Sequence, residues 1–292
     1  MKLLYYGTAR GLLWMLLSTI GFSVSHLIVR YVSPEIHSSQ SVFFRGFFGL
    51  FVILPIFMRT GMALFQTNQL RLHFVRAIFS VSSLTCFYYA LTAIPLAKAT
   101  AIGFIAPVIV SLMAVVFFKE RSRWITWLSL ALGVLGMLLV LRPGQIPLDA
   151  GTMLMILSTL LFSINLMVIK VLGKQDSSMV ITAYITILLL PLSLPMAIRV
   201  WVWPNAEQLV LLATMGIVNI TSLILFTQAM KEAATSLIMP LDFLRLVWMA
   251  LLGYLFFHEL PDSWTWTGGL VIFIGALLVA VPDRPKSPLY RA

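Results

Sequence analysis

Residues 11–30 read GLLWMLLSTIGFSVSHLIVR and residues 151–170 read GTMLMILSTLLFSINLMVIK. Met15, Leu17, Ser18, Thr19, Phe22 and Ser23 each recur 140 positions later, and Arg30 falls opposite Lys170. A second match, at an offset of 139, pairs Phe117, Phe118, Glu120, Trp127, Gly136, Leu138, Leu139, Val140 and Pro143 with Phe256, Phe257, Glu259, Trp266, Gly275, Leu277, Leu278, Val279 and Pro282. Apolar segments resemble one another by chance, but chance rarely keeps one offset through Glu, Trp, Gly and Pro. The chain therefore reads as a duplication, with a first copy over residues 1–145 and a second over 146–292.

Of the 292 residues, 60% are apolar and 10% charged, with a mean hydropathy of +0.99. Soluble domains run at about 45–50% apolar and about 25% charged. Apolar runs of spanning length, about 20 residues each, predict helices near 11–30, 39–58, 74–93, 98–118, 123–142, 151–171, 179–201, 207–228, 234–257 and 264–281. The first follows Lys2 and Arg10, as a signal peptide would, but it is long enough to span and has no small-residue cleavage site. Each copy holds five spans, and an odd number turns the second copy upside down. The expected fold is an all-α integral membrane protein of ten transmembrane helices, arranged as two inverted five-helix repeats with the substrate site near the midplane between them.

The net charge of +10 comes from 20 Lys and Arg against 10 Asp and Glu, yet no basic run interleaved with aromatics points to nucleic acid. The basic residues instead orient the chain. Fourteen (Lys2, Arg10, Arg59, Arg71, Arg76, Lys119, Arg121, Arg123, Lys170, Lys174, Lys231, Arg284, Lys286 and Arg291) fall on the side of the termini. Four (Arg30, Lys98, Arg142 and Arg199) fall opposite. That asymmetry predicts both termini in the cytoplasm and a multi-pass protein of the cytoplasmic, or inner, membrane. Trp124, Trp127, Trp201, Trp203, Trp264 and Trp266 stand at span ends as interfacial anchors. Cys86 is the single cysteine, which leaves no disulfide or thiolate metal cluster within the chain.

YYALTAIPLAKATAIGFIAPVIVSLMAVVFFKE at 88–120, LIMPLDFLRLVWMALLGYLFFHE at 237–259 and the paired first helices carry a resemblance to the drug/metabolite transporter superfamily, in particular its EamA-domain exporters and permeases. The resemblance runs from about residue 10 to about residue 282. It implies a basket of ten helices around a central cavity lined by helices 1, 3, 4, 6, 8 and 9. Many members carry proline where this chain has Leu246, and here a charged pair, Asp242 and Arg245, stands nearby. That departure resembles the branch containing proposed riboflavin and S-adenosylmethionine permeases.

Asp242 and Arg245 share a helix face deep in the ninth span. Each costs roughly 2.5–3.5 kcal/mol at a helix centre, so the pair either marks a pathway or braces helix packing. As a site, Arg245 would hold the anionic or carbonyl end of a substrate, with Asp242 orienting it or taking a proton. Ser25, Asn165, Asn219 and Gln228 are candidate polar contacts, and Tyr89 and Trp248, with Tyr88, Phe87 and Tyr184 beside them, supply faces for a planar ligand. Arg45, near the outer end of span two, has a stem long enough to snorkel to the interface, which is as expected as not, and His26 is expected to be either internally satisfied or interfacial. Glu120 and Glu259 match across the repeat as span-terminating positions, either gate elements or ordinary loop carboxylates.

The expected partners are a small-molecule substrate, membrane lipids and a proton or exchanged solute; no nucleic acid and no cofactor is expected. A channel or a membrane interaction subunit is the rival class. An intramembrane enzyme is the other, but the chain has no H-E-x-x-H pair, no G-x-S-x-G elbow, no phosphate-cradling loop and only one aspartate deep in a span.

Overall fold

Side chains that cap the backbone set several helix starts. The His37 ring accepts from the Ser39 amide at 3.2 Å, Asp149 Oδ1 from the Thr152 amide at 2.6 Å, and Ser177 Oγ from the Val180 amide at 3.3 Å, each satisfying a donor that the first helical turn leaves open. The computed structural model describes residues 2–61, 66–106, 109–110, 112–113, 116, 124–142, 149–232, 241–242 and 244–280. Among them every regular element is a helix: α1 (Lys2–Val32), α2 (Ser38–Thr60), α3 (Leu70–Ala93), α4 (Leu96–Gly103), α5 (Trp124–Leu141), α6 (Ala150–Leu172), α7 (Ser178–Ile198), α8 (Ala206–Glu232), α9 (Leu244–Phe257) and α10 (Ser263–Ala280).

Six of these, α1–α3 and α6–α8, are long and apolar enough to cross a membrane, whereas α9 and the Ala131–Leu141 part of α5 are shorter apolar stretches. Most starts and ends lie within a few residues of the expected spans. The first helix differs most, reaching back to Lys2. Much of the expected spans 98–118 and 234–257 lies outside the described residues. Pro55 in α2 and Pro191 and Pro195 in α7 are carried inside their helices, as neighbouring helices in membrane bundles permit.

The most extensive packing joins α1 to α8, α5 to α10 and α3 to α6; α2 lies against α7 and α8, α3 against α7, α9 against α1 and α4, and α4 against α6. Replacing each helix by the one five places along leaves this pattern largely intact. The α1–α8 seam becomes α6–α3, α2–α8 becomes α7–α3, and α1–α9 becomes α6–α4. The contacts α2–α7, α4–α9 and α5–α10 map onto themselves.

The α5–α10 contact is reciprocal. A Cβ on Gly136 would stand 2.6 Å from Ile272 and 2.7 Å from the Gly268 carbonyl, and one on Gly268 would stand 2.5 Å from Val140 and 2.6 Å from the Gly136 carbonyl. Each glycine, with an aliphatic residue one turn on, receives the other's backbone, the small-residue packing that membrane helices use where lipid is as apolar as leucine.

Polar contacts tie the connections together at one end of the bundle. Arg30 pairs with Glu259, Arg142 pairs with Asp262, and Gln40 exchanges two hydrogen bonds with the Val202 backbone at 2.6 and 3.2 Å. Trp124, Trp127, Trp203, Trp264 and Trp266 are exposed, whereas the half-buried Trp201 ring packs 5.6 Å from both Phe43 and Phe44.

Gly136→Leu should separate α5 from α10, since backbone blocks the new side chain. A loss of about 1–3 kcal/mol, the usual range for overpacking, is expected as a lower unfolding temperature of the purified protein.

Candidate functional site

Five helices bring polar and aromatic side chains together around α1. Asn219 of α8 donates Nδ2 to Ser25 Oγ at 3.0 Å, and Ser25 Oγ reaches the Met215 carbonyl at 3.4 Å. On α3, Tyr88 is fully buried, and its hydroxyl lies within reach of Ser25 and of Arg45 on α2 without hydrogen-bond geometry to either. Arg245 of α9 lies over the Phe22 ring of α1 at 5.3 Å and pairs with Asp242. Trp248 Nε1 donates to Thr19 Oγ1 at 3.3 Å. His26 stacks on Phe22 at 6.4 Å and meets Phe87 edge-on at 4.9 Å, with Arg45 and Arg245 both in electrostatic reach. The cluster offers aromatic faces, guanidinium donors, one carboxylate and an amide acceptor.

Buried polar atoms in native proteins nearly always have partners, yet Ser18 Oγ, the Tyr88 hydroxyl, Asn219 Oδ1 and Arg245 Nε have none. All four belong to the helices of this cluster.

A second polar seam joins α3 to α6. Asn165 donates Nδ2 to Ser80 Oγ at 2.6 Å, and its Oδ1 is likewise buried and unpartnered. Ser83 Oγ bonds the Ser158 carbonyl at 3.0 Å, and Ser158 Oγ bonds the Ser83 carbonyl at 2.8 Å. The two seams correspond in sequence. Leu70, Leu72, Ile78, Ser83, Leu84, Phe87 and Ala90 recur at Leu209, Leu211, Ile217, Ser222, Leu223, Phe226 and Ala229, which places Ser80 opposite Asn219, as Ser25 is opposite Asn165. Both seams thus contain one serine and one asparagine, with the asparagine donating.

At the end of the bundle where α1 finishes, Arg30 donates to the Leu91 and Ile94 carbonyls at 2.9 and 2.5 Å and lies 4.9 Å from the Phe257 ring centre. Its partner Glu259 accepts the Leu96 amide at 3.0 Å. The helices α1, α3 and α9 are held together there. At the opposite end, buried His73 meets Asp176 at 2.8 Å and stacks on Tyr184 at 4.3 Å, Thr67 Oγ1 donates to the same carboxylate at 2.8 Å, and Arg76 donates to the Ile181 carbonyl at 2.6 Å.

A family model described as the EamA-like transporter family matches residues 9–142 and again 149–281. The chain belongs to the EamA-like transporter family. It is 28% identical to an S-adenosylmethionine uptake transporter of Rickettsia prowazekii over 95% of this chain and 94% of that one. It is 26% identical to a riboflavin transporter of Rhizobium johnstonii, over 92% and 90%, and 26% identical to a pseudopaline exporter of Pseudomonas aeruginosa, over 92% and 95%. A solved crystal structure, 15% identical, matches with a TM-score of 0.64 over 93% of this chain and 96% of that one, a likeness of fold. The family and these relatives are transporters, not enzymes, and with its apolar helices this EamA-family chain is a multi-pass membrane protein.

Of the residues singled out from sequence, Ser25, Asn219, Asp242, Arg245 and Trp248 gather in the α1 cluster, and Asn165 lies in the α3–α6 seam. Tyr89, 38% exposed, and Gln228 are on outer faces; they occupy related positions, 139 apart. Tyr88, one residue before Tyr89, is the one turned inward. Phe162, 45% exposed, does not repeat the inward placement of Phe22. His26 is buried, and Arg45 lies within electrostatic reach of Tyr88. Lys170 Nζ and Glu120 lie outside the described residues. Sequence reading missed the His73–Asp176 pair, because both residues border loops and only the fold brings them together. Among the described residues no group of three His, Cys, Asp or Glu side chains could hold a metal.

Glu259→Gln preserves volume and an acceptor for the Leu96 amide but removes the charge that pairs with Arg30. In a Cys86→Ala background carrying Ile94→Cys, it should raise the rate of reaction with a water-soluble maleimide several-fold. An unchanged rate would assign the closure of that end to the Arg30–carbonyl bonds alone.

Proposed function

We propose that this EamA-family transporter carries a small polar or amphipathic metabolite, of amino-acid, S-adenosylmethionine or riboflavin type, across the cytoplasmic membrane by alternating access. The observation that carries this reading is the set of buried polar atoms left without partners around α1. They belong to helices that also bring a charged pair and the rings of Phe22, Phe87, Tyr88 and Trp248 together, an environment that a substrate with both charge and a planar part would complete. Asp242, Arg245, Asn219, Ser25 and Trp248 are the proposed contacts. No ATP-binding motif occurs in the sequence, so a proton, an exchanged solute or the substrate gradient supplies the driving force.

The proposed architecture has ten spans in two inverted repeats, residues 1–145 and 146–292, with both termini cytoplasmic. It is supported by the offset of 139–140, the double family match and the basic-residue asymmetry. In this orientation the Arg30–Glu259 end faces outward and the His73–Asp176 end inward.

Alternating access is supported by a difference between related seams. Ser83 and Ser158 bond reciprocally across α3–α6. Their counterparts across α1–α8 do not: Ser222 Oγ bonds back to the Val218 carbonyl of its own helix at 2.7 Å, and Ser18 Oγ has no partner. Both seams are packed, but only one carries the reciprocal serine bonds, and exchange of the two arrangements would move access from one side to the other.

Purified protein in liposomes preloaded with unlabelled S-adenosylmethionine, methionine or riboflavin should show saturable counterflow of the corresponding labelled compound. Bridging Ser83→Cys to Ser158→Cys in a Cys86→Ala background should abolish it reversibly. Non-saturating flux, insensitive to the bridge, would identify a channel instead.

The charged pair gives a separate expectation. Arg245→Leu leaves a lone carboxylate in the bundle and should cost about 3–5 kcal/mol. Asp242→Leu together with Arg245→Leu should restore the unfolding temperature while transport stays lost. Restored transport would make the pair a brace.

A further inference from the structure

We infer that Arg45 is the residue that receives a carboxylate of the substrate, so that this transporter selects organic acids or zwitterions over their neutral analogues. The inference rests on the transport reading above and deepens it. Of the seven arginines in the helices α1–α3 and α9, Arg10, Arg59 and Arg71 are exposed and Arg30, Arg45, Arg76 and Arg245 are not; three of these four are answered by the protein itself. Arg30 has Glu259 and two carbonyls, Arg76 has the Ile181 carbonyl, and Arg245 has Asp242 and the Phe22 face.

Arg45 has no carboxylate or carbonyl partner among the described residues. It sits two turns into α2, where the backbone of Phe44 and Arg45 lies against Gly216 of α8, and its side chain lies within electrostatic reach of the buried Tyr88 hydroxyl. That hydroxyl has no hydrogen-bond partner, and Ser25 lies within its reach. The group is a donor set, a planar guanidinium fork with a phenol beside it, and it lacks an anion. Arg245 is the other guanidinium near His26, so the described cluster holds two fixed positive charges against the single carboxylate of Asp242. A carboxylate brought by the ligand balances that charge and accepts from both Arg45 and Tyr88 in the geometry that favours arginine over lysine. Asp242 is then available to a cationic part of the same molecule and Phe22 to a planar one.

The test uses the full-length protein in detergent and a panel in which each acid is matched by its primary amide: S-adenosylmethionine and its carboxamide, methionine and methioninamide, with riboflavin as a compound that has no carboxylate. Affinities are read from ligand-dependent thermal shifts. The wild type should bind at least one acid ten-fold or more tightly than its amide. Arg45→Gln should lower the affinity for that acid to the level of the amide while leaving the amide unchanged, and Tyr88→Phe should reduce the preference by a smaller factor. Arg45→Lys, which keeps the charge, covers the case in which the glutamine variant does not fold, and should lose several-fold of the preference. Equal binding of acid and amide by the wild type, tightest binding of riboflavin, or a preference that survives in Arg45→Gln or is undiminished in Arg45→Lys overturns the assignment. If no compound binds and liposomes show no saturable flux, the transport reading fails, and this assignment fails with it.

Discussion

The structure depends on how closely helices can approach where lipid offers no less apolar a neighbour than protein does. Burial alone does not drive association there; contact quality and hydrogen bonding do. The α5–α10 pair meets glycine to glycine, and the α1–α8 and α3–α6 seams are lined by Ser, Thr and Asn. Larger side chains at these positions would push the helices apart and take with them the polar atoms now held between them. Because α1 lies in one of these seams and also touches α3 and α9, the placement of Ser25, Phe22 and His26 is inherited from this packing.

Charge is the second constraint. An arginine inside a bundle must find an anion, a carbonyl or an aromatic face. Arg30 finds all three and in doing so joins α1, the α3–α4 connection and the loop before α10. Arg245 finds two of them. The same requirement that ties one end of the bundle together is thus met again in the α1 cluster, and the answered arginines make the position of Arg45 informative.

Much of the fold was legible in the sequence because spanning helices are long and apolar, and because duplication repeats a pattern that single helices do not. The first-helix repeat located Ser25 and Asn165, and the i, i+3 spacing located Asp242 and Arg245. Facing was harder to read. Tyr88 and Tyr89 are neighbours, and nothing in an apolar run of aromatics tells which of two successive residues turns inward, since both faces of such a helix are apolar. The depth of Arg45 could be estimated from the sequence, but the buried tyrosine near it, on another helix, could not. His73 and Asp176 are separated by 103 residues, and only the packing of α3 against α6 and α7 brings them together. The match between α3 and α8 was present in the sequence and would have revealed the second Ser–Asn pair.

That pair has a consequence for how the halves recognise each other. At the seam positions the first half carries serine twice, Ser25 and Ser80, and the second carries asparagine twice, Asn165 and Asn219. Two first halves meeting in the same manner would place hydroxyl against hydroxyl at both seams, and two second halves would crowd amide against amide. Only unlike halves put a long donor opposite a short acceptor in each place. The two family-matched segments are thus complementary at these positions, serine in one and asparagine in the other.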